Sequence, residues 1–360
     1  LTEELTYRKF TEKDLVRISE FRKSYFRYNS SIRSYEPEYY GWKCYGNPFL
    51  PGEMWLAEDG DIIVGIRNIT PKRMKVLGTL VNAGEIGDNF VHPDYQRRGI
   101  ATKLAEYIRE SMLEKGVSLI YGIPGRITSL PGYMKKMNYL PLPIGLRELV
   151  KPLNMKQLLE KRLHIPPPLA ACLSPIIKIF SNAETGIGAI GSAKSDISIS
   201  KASLLPDDID IFWEHAAKSY DIMLIRSKDY LEWRYIKNPD TYSILLATNI
   251  EGDTVGYIVT KIGMYDGVPV GYIVDFLTLE DDPGIFKKLL LAALEEFHRN
   301  KVSVVNTWVV KGGIYSKVLS RFGFLPYSKI TLICYKNELG KQITSNHYKW
   351  HFTMGDSDNI

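Results

Sequence analysis

Residues 84–116 read GEIGDNFVHPDYQRRGIATKLAEYIRESMLEKG, a strand, a turn and a helix run together, and the rest of the chain is arranged around them. Gly84 to Val91 carry Ile86, Phe90 and Val91 in a short extended run. His92-Pro93-Asp94 breaks it, because proline lacks a ladder donor and biases the preceding residue away from helix. From Ile100 the apolar positions Ile100, Leu104, Tyr107, Ile108 and Met112 fall at helical spacing. Gly116 is a fitting stop, since glycine tolerates the left-handed conformation beyond a last helical turn. Between strand and helix stands Gln96-Arg97-Arg98-Gly99-Ile100-Ala101. A first helical turn leaves amides without partners at the positive end of the helix dipole, so the hexapeptide reads as an anion cradle. Gly99 allows close backbone approach, Ala101 keeps the next contact small, and Arg97 and Arg98 add charge.

Gln-x-x-Gly-x-Ala, after a strand ending Val-His-Pro-Asp-Tyr and opening an amphipathic helix, resembles the acetyl-CoA signature of the GNAT N-acetyltransferases. The resemblance implies an α/β mixed-sheet domain whose turn amides hold the pyrophosphate of acetyl-CoA, with Val91, Gln96, Arg97, Arg98, Gly99, Ile100, Ala101 and Thr102 as cofactor-binding residues. It also implies that the amide near Val91 stabilises a tetrahedral oxyanion. An acceptor amine is mostly protonated at neutral pH and needs a base before it can attack a thioester. Glu85 corresponds to where some GNAT members place a catalytic glutamate, and Asp88 is the second candidate. Three residues apart on a regular strand, the two face opposite sides, so one of them is expected to reach the pocket. His92 is expected to close the turn. Many members carry Tyr-x-x-x-Gly-Phe, whose tyrosine acts as general acid. The counterpart here is Tyr133-Met134-Lys135-Lys136-Met137-Asn138-Tyr139. Tyr133 is the candidate acid, one residue out of register, a shift that turns a helical side chain by about 100°. The asparagine that often follows the fifth strand is missing, with Gly125-Arg126 nearby.

The chain repeats itself. Tyr39, Trp42, Asn47 and Pro48 recur as Tyr230, Trp233, Asn238 and Pro239, and Val64-Gly65 recurs as Val255-Gly256 at the same offset. With slightly smaller offsets Asp88 lies on Asp275, Gly99-Ile100 on Gly284-Ile285, Val117-Ser118 on Val302-Ser303 and Leu140-Pro141 on Leu325-Pro326. Two copies of one fold follow. The strands expected in the first are 6–10, 54–57, 62–69, 74–82, the motif strand and 118–121, with helices over 14–27 and 130–137. The second repeats the pattern between 197 and 322. The expected division is a GNAT domain over 1–150, a connector over 151–196, a degenerate GNAT-like domain over 197–336 and a tail over 337–360. At the second turn stands Asp281-Asp282-Pro283-Gly284-Ile285-Phe286. Its carboxylates repel a pyrophosphate and Phe286 fills the space that Ala101 leaves, so this copy is expected to wall or support the first.

Composition bounds the rest. A chain of 360 residues holds about two ordinary domains. A net charge of +5 suits an anionic cofactor and falls short of a nucleic-acid footprint. Cys44, Cys172 and Cys334 fit buried thiols in a reducing, cytoplasmic compartment. The opening LTEELTYRKF has charges where a signal peptide needs an apolar core. The apolar run 169–180 is too short to span a bilayer and reads as an interdomain helix, a peripheral membrane contact being the alternative. Gly186-Ile187-Gly188-Ala189-Ile190-Gly191 matches a dinucleotide fingerprint in letters but lacks its strand and helix. The tail HYKWHFTMGDSDNI is too aromatic for disorder and is expected to fold back; His347 and His351 need further ligands to hold a metal. The aromatic cluster Tyr35, Tyr39, Tyr40, Trp42, Tyr45 and Phe49 reads as scaffold or as the border of an acceptor site. The leading expectation is acetyl-CoA-dependent N-acetylation of a small-molecule primary amine: an amino sugar, amino acid or polyamine. An aminoacyl transferase like the tandem-GNAT peptidoglycan enzymes, and a non-catalytic acyl-CoA-binding module, stand as alternatives.

Overall fold

The computed structural model describes residues 4–25, 36–125, 129–154, 196–265 and 267–358. The connector's apolar run, the glycine fingerprint and Cys172 lie outside the described residues. Fifteen strands are described: β1 (Thr6–Lys9), β2 (Glu53–Asp59), β3 (Ile62–Val76), β4 (Thr79–Val91), β5 (Leu119–Gly122), β6 (Tyr139–Pro141), β7 (Leu146–Pro152), β8 (Ser198–Ala202), β9 (Ile222–Leu224), β10 (Tyr242–Thr248), β11 (Thr254–Tyr265), β12 (Val268–Thr278), β13 (Val304–Val310), β14 (Leu325–Lys329) and β15 (Ile333–Tyr335). The strand expected over 74–82 is corrected. Leu77 and Gly78, both at positive φ, turn the chain between β3 and β4, so the motif strand is the second arm of a long hairpin.

The strands form two mixed sheets. The first runs β1-β2-β3-β4-β5-β15-β6, with β9 added to the far end of β3. The second, written from the matching end, runs β8-β10-β11-β12-β13-β7-β14. Position for position the orders agree, and each sheet takes its sixth strand from the other half of the chain. The only parallel pairs, among the described strands, are β4 with β5 and β12 with β13. The divisions at 150 and 336 therefore cut across an exchange. Residues 146–149 pair with β13 and β14 in the second sheet, and 333–335 pair with β5 and β6 in the first. Sequence periodicity cannot report this, because a strand's alternation is the same whichever sheet receives it.

Helices cover the faces: α1 (Leu15–Tyr25), α2 (Pro37–Tyr45), α3 (Ile100–Glu114), α4 (Leu130–Lys136), α5 (Ile209–Ala216), α6 (Lys228–Leu231), α7 (Pro283–Arg299), α8 (Ile314–Arg321) and α9 (Glu338–Ser345). In α3 the residues Ile100, Leu104, Ala105, Ile108 and Met112 are buried. The last three of these pack with Ile69, Ile86, Val117 and Ile120.

Where the repeat was plainest, the halves meet. The rings of Trp42 and Trp233 stack 4.6 Å apart at 13°. Each indole N–H donates to the other's backbone carbonyl, at 2.8 and 3.2 Å. Such reciprocity marks a local two-fold between the copies, and the stacking adds about 0.5–1.5 kcal/mol to the area buried. The tail closes the junction: Trp350 to Asp358 are buried, His351 N–H donates to the Ile222 carbonyl at 3.0 Å, and the Tyr121 hydroxyl donates to the Asp356 carbonyl at 3.1 Å.

Candidate active site

Beyond Val91 the chain makes one 3-10 turn, Pro93–Tyr95, and enters the predicted cradle. Gln96 Nε2 donates to the Val91 carbonyl at 3.2 Å. Arg98 lies over the Tyr95 ring at 4.8 Å and donates to the Asp94 carbonyl at 2.9 Å. Arg97 and Gly99 are both left-handed, at φ 66° and 83°. This alternation curls the backbone into a concave nest. Thr102 and Lys103 already donate to the Gly99 carbonyl, whereas the N–H groups of residues 97–101 meet no acceptor among the described residues. Nothing stands within 4 Å of where a Gly99 Cβ would lie. Ile100 anchors the turn from below: its Cγ2 would sit 2.8 Å from a Cβ at Gly65, so only glycine on β3 lets the helix settle this close. Arg97 and Arg98 are exposed, Ala101 and Thr102 half-buried.

The cradle opens toward a split in the sheet. β4 and β5 pair only as far as Ile86 with Gly122. The His92 N–H donates to Val64 on β3 at 2.8 Å, so alternation turns the Val91 N–H toward the other edge, where β4 has no strand beside it.

In the second half the same place is filled. The Asp282 carboxylate accepts from Gly284 N–H at 2.7 Å and Ile285 N–H at 3.1 Å, so the protein's own anion caps α7. Phe286 is fully buried. Asp282→Ala is expected to cost about 1 kcal/mol of stability in denaturant melts, the usual worth of such a cap, without opening a second cradle, because Phe286 still fills the space.

On the sheet face opposite α3, polar side chains are buried together. Glu85 on β4 is 2% exposed. Its Oε2 accepts from the Asp358 N–H at 3.0 Å, and its Oε1 has no partner among the described residues. Lys72 on β3 lies 2.5 Å from Asp358 and 3.8 Å from Glu85. Burial alone would raise the Asp358 carboxyl, but Lys72, Lys43 and Arg234 together hold it well below its ordinary value. Glu85, desolvated and beside that carboxylate, is pushed up to about 7. Asp88 is paired with Lys43 at 3.0 Å and Arg22 at 3.4 Å. Burial alone would raise its carboxyl, but these cations hold it below the usual range.

The expectation that Glu85 and Asp88 face opposite sides is corrected. Two β4 residues, Asp88 and Asn89, stand against Arg67 alone, between the pairs Asn68–Gly87 and Ile66–Phe90. Asp88 has φ 38°. This bulge restores it to the Glu85 face, where Lys43 acts on both.

Asp88 and Lys43 correspond to Asp275 and Arg234 in the second half, where Asp275 pairs with Arg226 instead; buried charges kept at these positions without the cradle fit a role in the fold. Glu85, Thr70 and Lys72 correspond to Tyr272, Lys261 and Gly263; these differ together with the cradle. Tyr133 is not brought to Glu85. It packs among Ile86, Ala105, Ile108 and Tyr139 on the α3 face, as its offset register implies, while Met134 is 42% exposed. His92 closes the turn, its Nδ1 accepting from Asp94 N–H at 3.2 Å. His351 is buried against Tyr220, Phe276 and Tyr315, and burial brings its imidazole down to about 3. Among the described residues no three His, Cys, Asp or Glu could hold a metal, and no helix is long and apolar enough to cross a membrane. Cys44 and Cys334 are buried free thiols. Lys72 and Asp358 reach Glu85 from 13 residues before it and from 273 residues after it, and neither carries a local signal in the sequence.

Residues 6–141 match the family model described as acetyltransferase (GNAT) domain. No curated protein matches the chain in sequence. Among solved structures, Saccharomyces cerevisiae N-myristoyltransferase with bound myristoyl-CoA is similar at TM-score 0.65 and 15% identity, covering 93% of this chain and 79% of that one. A GCN5-related N-acetyltransferase from Anabaena variabilis gives 0.59 and 14%, covering 92% and 72%. A tandem GNAT protein from the clavulanic acid biosynthesis pathway gives 0.58 and 14%, covering 92% and 98%. These likenesses are of fold. Residues 6–141 are a GNAT domain, and the chain as a whole has the tandem GNAT acyltransferase fold.

Proposed function

We propose that the first half binds acetyl-CoA in the cradle of residues 96–102 and transfers the acetyl group to a primary amine of a small molecule. The observation that carries this reading is the unfilled cradle of the first copy set against the Asp282-capped turn of the second. Pyrophosphate oxygens accept from the free amides at the start of α3, with Arg97 and Arg98 adding charge. The arm enters the split between β4 and β5. Glu85, through Oε1, takes the proton from the ammonium directly or by way of water. The free amine attacks the thioester carbonyl, the Val91 N–H holds the oxyanion, and as the C–S bond breaks coenzyme A leaves as a thiolate that takes up the second proton from the amine nitrogen. A thiolate is a fair leaving group, so the scheme stands without Tyr133 as acid. The second half acts as wall and support.

The test is release of coenzyme A thiol from acetyl-CoA over a panel of amino sugars, amino acids and polyamines. Release dependent on one amine class is expected, rising with pH through about 7 as Glu85 ionises. Cofactor binding with no release from any amine would favour a non-catalytic acyl-CoA-binding module, a reading to which the core position of Tyr133 lends weight.

A further inference from the structure

Arg67, on β3, is fully buried, yet its Nε and Nη2 meet no hydrogen-bond partner among the described residues. Its Nη1 points at the Met137 sulfur, 3.7 Å away, and its guanidinium carbon lies 5.5 Å from the centre of the Tyr133 ring. A thioether, a ring face and the nearby Tyr139 hydroxyl are weak substitutes for a carboxylate, and a buried guanidinium with no counter-charge among the described residues is among the costliest groups to hold inside a protein. The fold does not require it. At the corresponding place in the second half stands Ile258, equally buried.

Its position gives the cost a purpose. Arg67 shares a face of β3 with Gly65, against which Ile100 of the cradle helix rests. It lies two residues farther on, roughly 7 Å along the strand, opposite the β4 bulge and just past the last β4–β5 pair. An arm running from the cradle into the split passes this side chain. We propose that Arg67 is a binding residue that donates to an acceptor oxygen on the acyl-thioester arm of a bound acyl-CoA, a contact that rests on the acyl-CoA reading above. The oxygen is an amide carbonyl of the pantetheine, the thioester carbonyl, or a carboxylate on the acyl chain. The copy that has its cradle capped by Asp282 has no arm to bind and carries isoleucine instead.

The test titrates wild type, Arg67→Ile and Arg67→Met with adenosine 3′,5′-bisphosphate, coenzyme A, acetyl-CoA and succinyl-CoA, and melts each protein without ligand. Arg67→Ile installs the residue of the second copy; Arg67→Met keeps the stem. Both variants are expected to melt at or above the wild-type temperature, to bind the bisphosphate as wild type does, and to lose tenfold or more in affinity for ligands that carry the oxygen. Equal loss for all three arm-bearing ligands assigns the pantetheine carbonyl. Loss for both thioesters but not for coenzyme A assigns the thioester carbonyl, and loss for succinyl-CoA alone assigns an acyl carboxylate. Variants that bind every ligand like wild type, or that melt well below it, would make Arg67 structural and overturn the proposal. A wild-type protein that binds none of the arm-bearing ligands would instead remove the acyl-CoA reading itself, and this contact with it.

Discussion

Glu85→Gln is expected to lower turnover about 10²- to 10⁴-fold, the usual contribution of a positioned base, while leaving the affinity for acetyl-CoA unchanged. The glutamine keeps an oxygen for the Asp358 N–H and removes the group that takes a proton. Because the Glu85 carboxyl is raised to about 7, wild-type kcat/KM should climb as pH rises through that value, and the variant should lose that limb. Stability gives an independent reading with the opposite slope. The folded protein holds a proton on Glu85 at pH values where the unfolded chain, near 4.5, has released it. The stabilisation is present in full below the unfolded value and is lost as pH rises through the folded one. Above pH 7 the variant should therefore be the more stable protein in denaturant melts, and the difference should shrink on acidification. Unchanged turnover with an unchanged pH profile would remove Glu85 from the mechanism and leave it a buried structural carboxyl.

Arg226→Ala is expected to cost about 3–5 kcal/mol, the range for stripping one partner from a buried ion pair. Arg226 lies 3.1 Å from Asp275 and 2.8 Å from Asp356, with all three side chains 1% exposed. Without the guanidinium two carboxylates remain buried side by side, served by the hydroxyls of Tyr235, Tyr257 and Thr353. Asp356 belongs to the tail and Asp275 to β12, so the loss also loosens the segment that carries Asp358 to Glu85. The remaining carboxyls have raised folded values in the variant, so acidification should return part of the stability. Adding Asp275→Asn and Asp356→Asn to the variant should do the same at neutral pH. A loss below about 1 kcal/mol, the scale of exposed pairs, would mean that water reaches this cluster.

Much of this was legible in the chain because the signals are local. Gly99, left-handed at the start of α3, and the apolar spacing of Ile100, Leu104, Ile108 and Met112 needed only neighbouring residues to be read. The doubling was legible because Trp42 and Trp233 had to remain similar to stack on each other. What was not legible depends on distant partners. β7 lies between β13 and β14, and β15 between β5 and β6, and neither strand's own sequence names its partners. Asp88 was placed on the wrong face because one extra residue in β4 changes the alternation, and only its positive φ shows it. Asp358 reaches Glu85 across 273 residues of sequence. The charge of Asp282 is legible in the sequence as repelling a phosphate; that its carboxylate also takes the amides a phosphate would use is visible only in the fold.

The division of labour between an open copy and a capped copy is tested most directly by calorimetric titration of acetyl-CoA into wild type and Gly99→Glu. A glutamate there meets a left-handed backbone (φ 83°) and places its own carboxylate at the unpartnered amides, as Asp282 does in the second half. One acetyl-CoA per wild-type chain, with binding lost in the variant, is the predicted result. Two per chain, none at all, or a single site indifferent to Gly99→Glu would contradict the account.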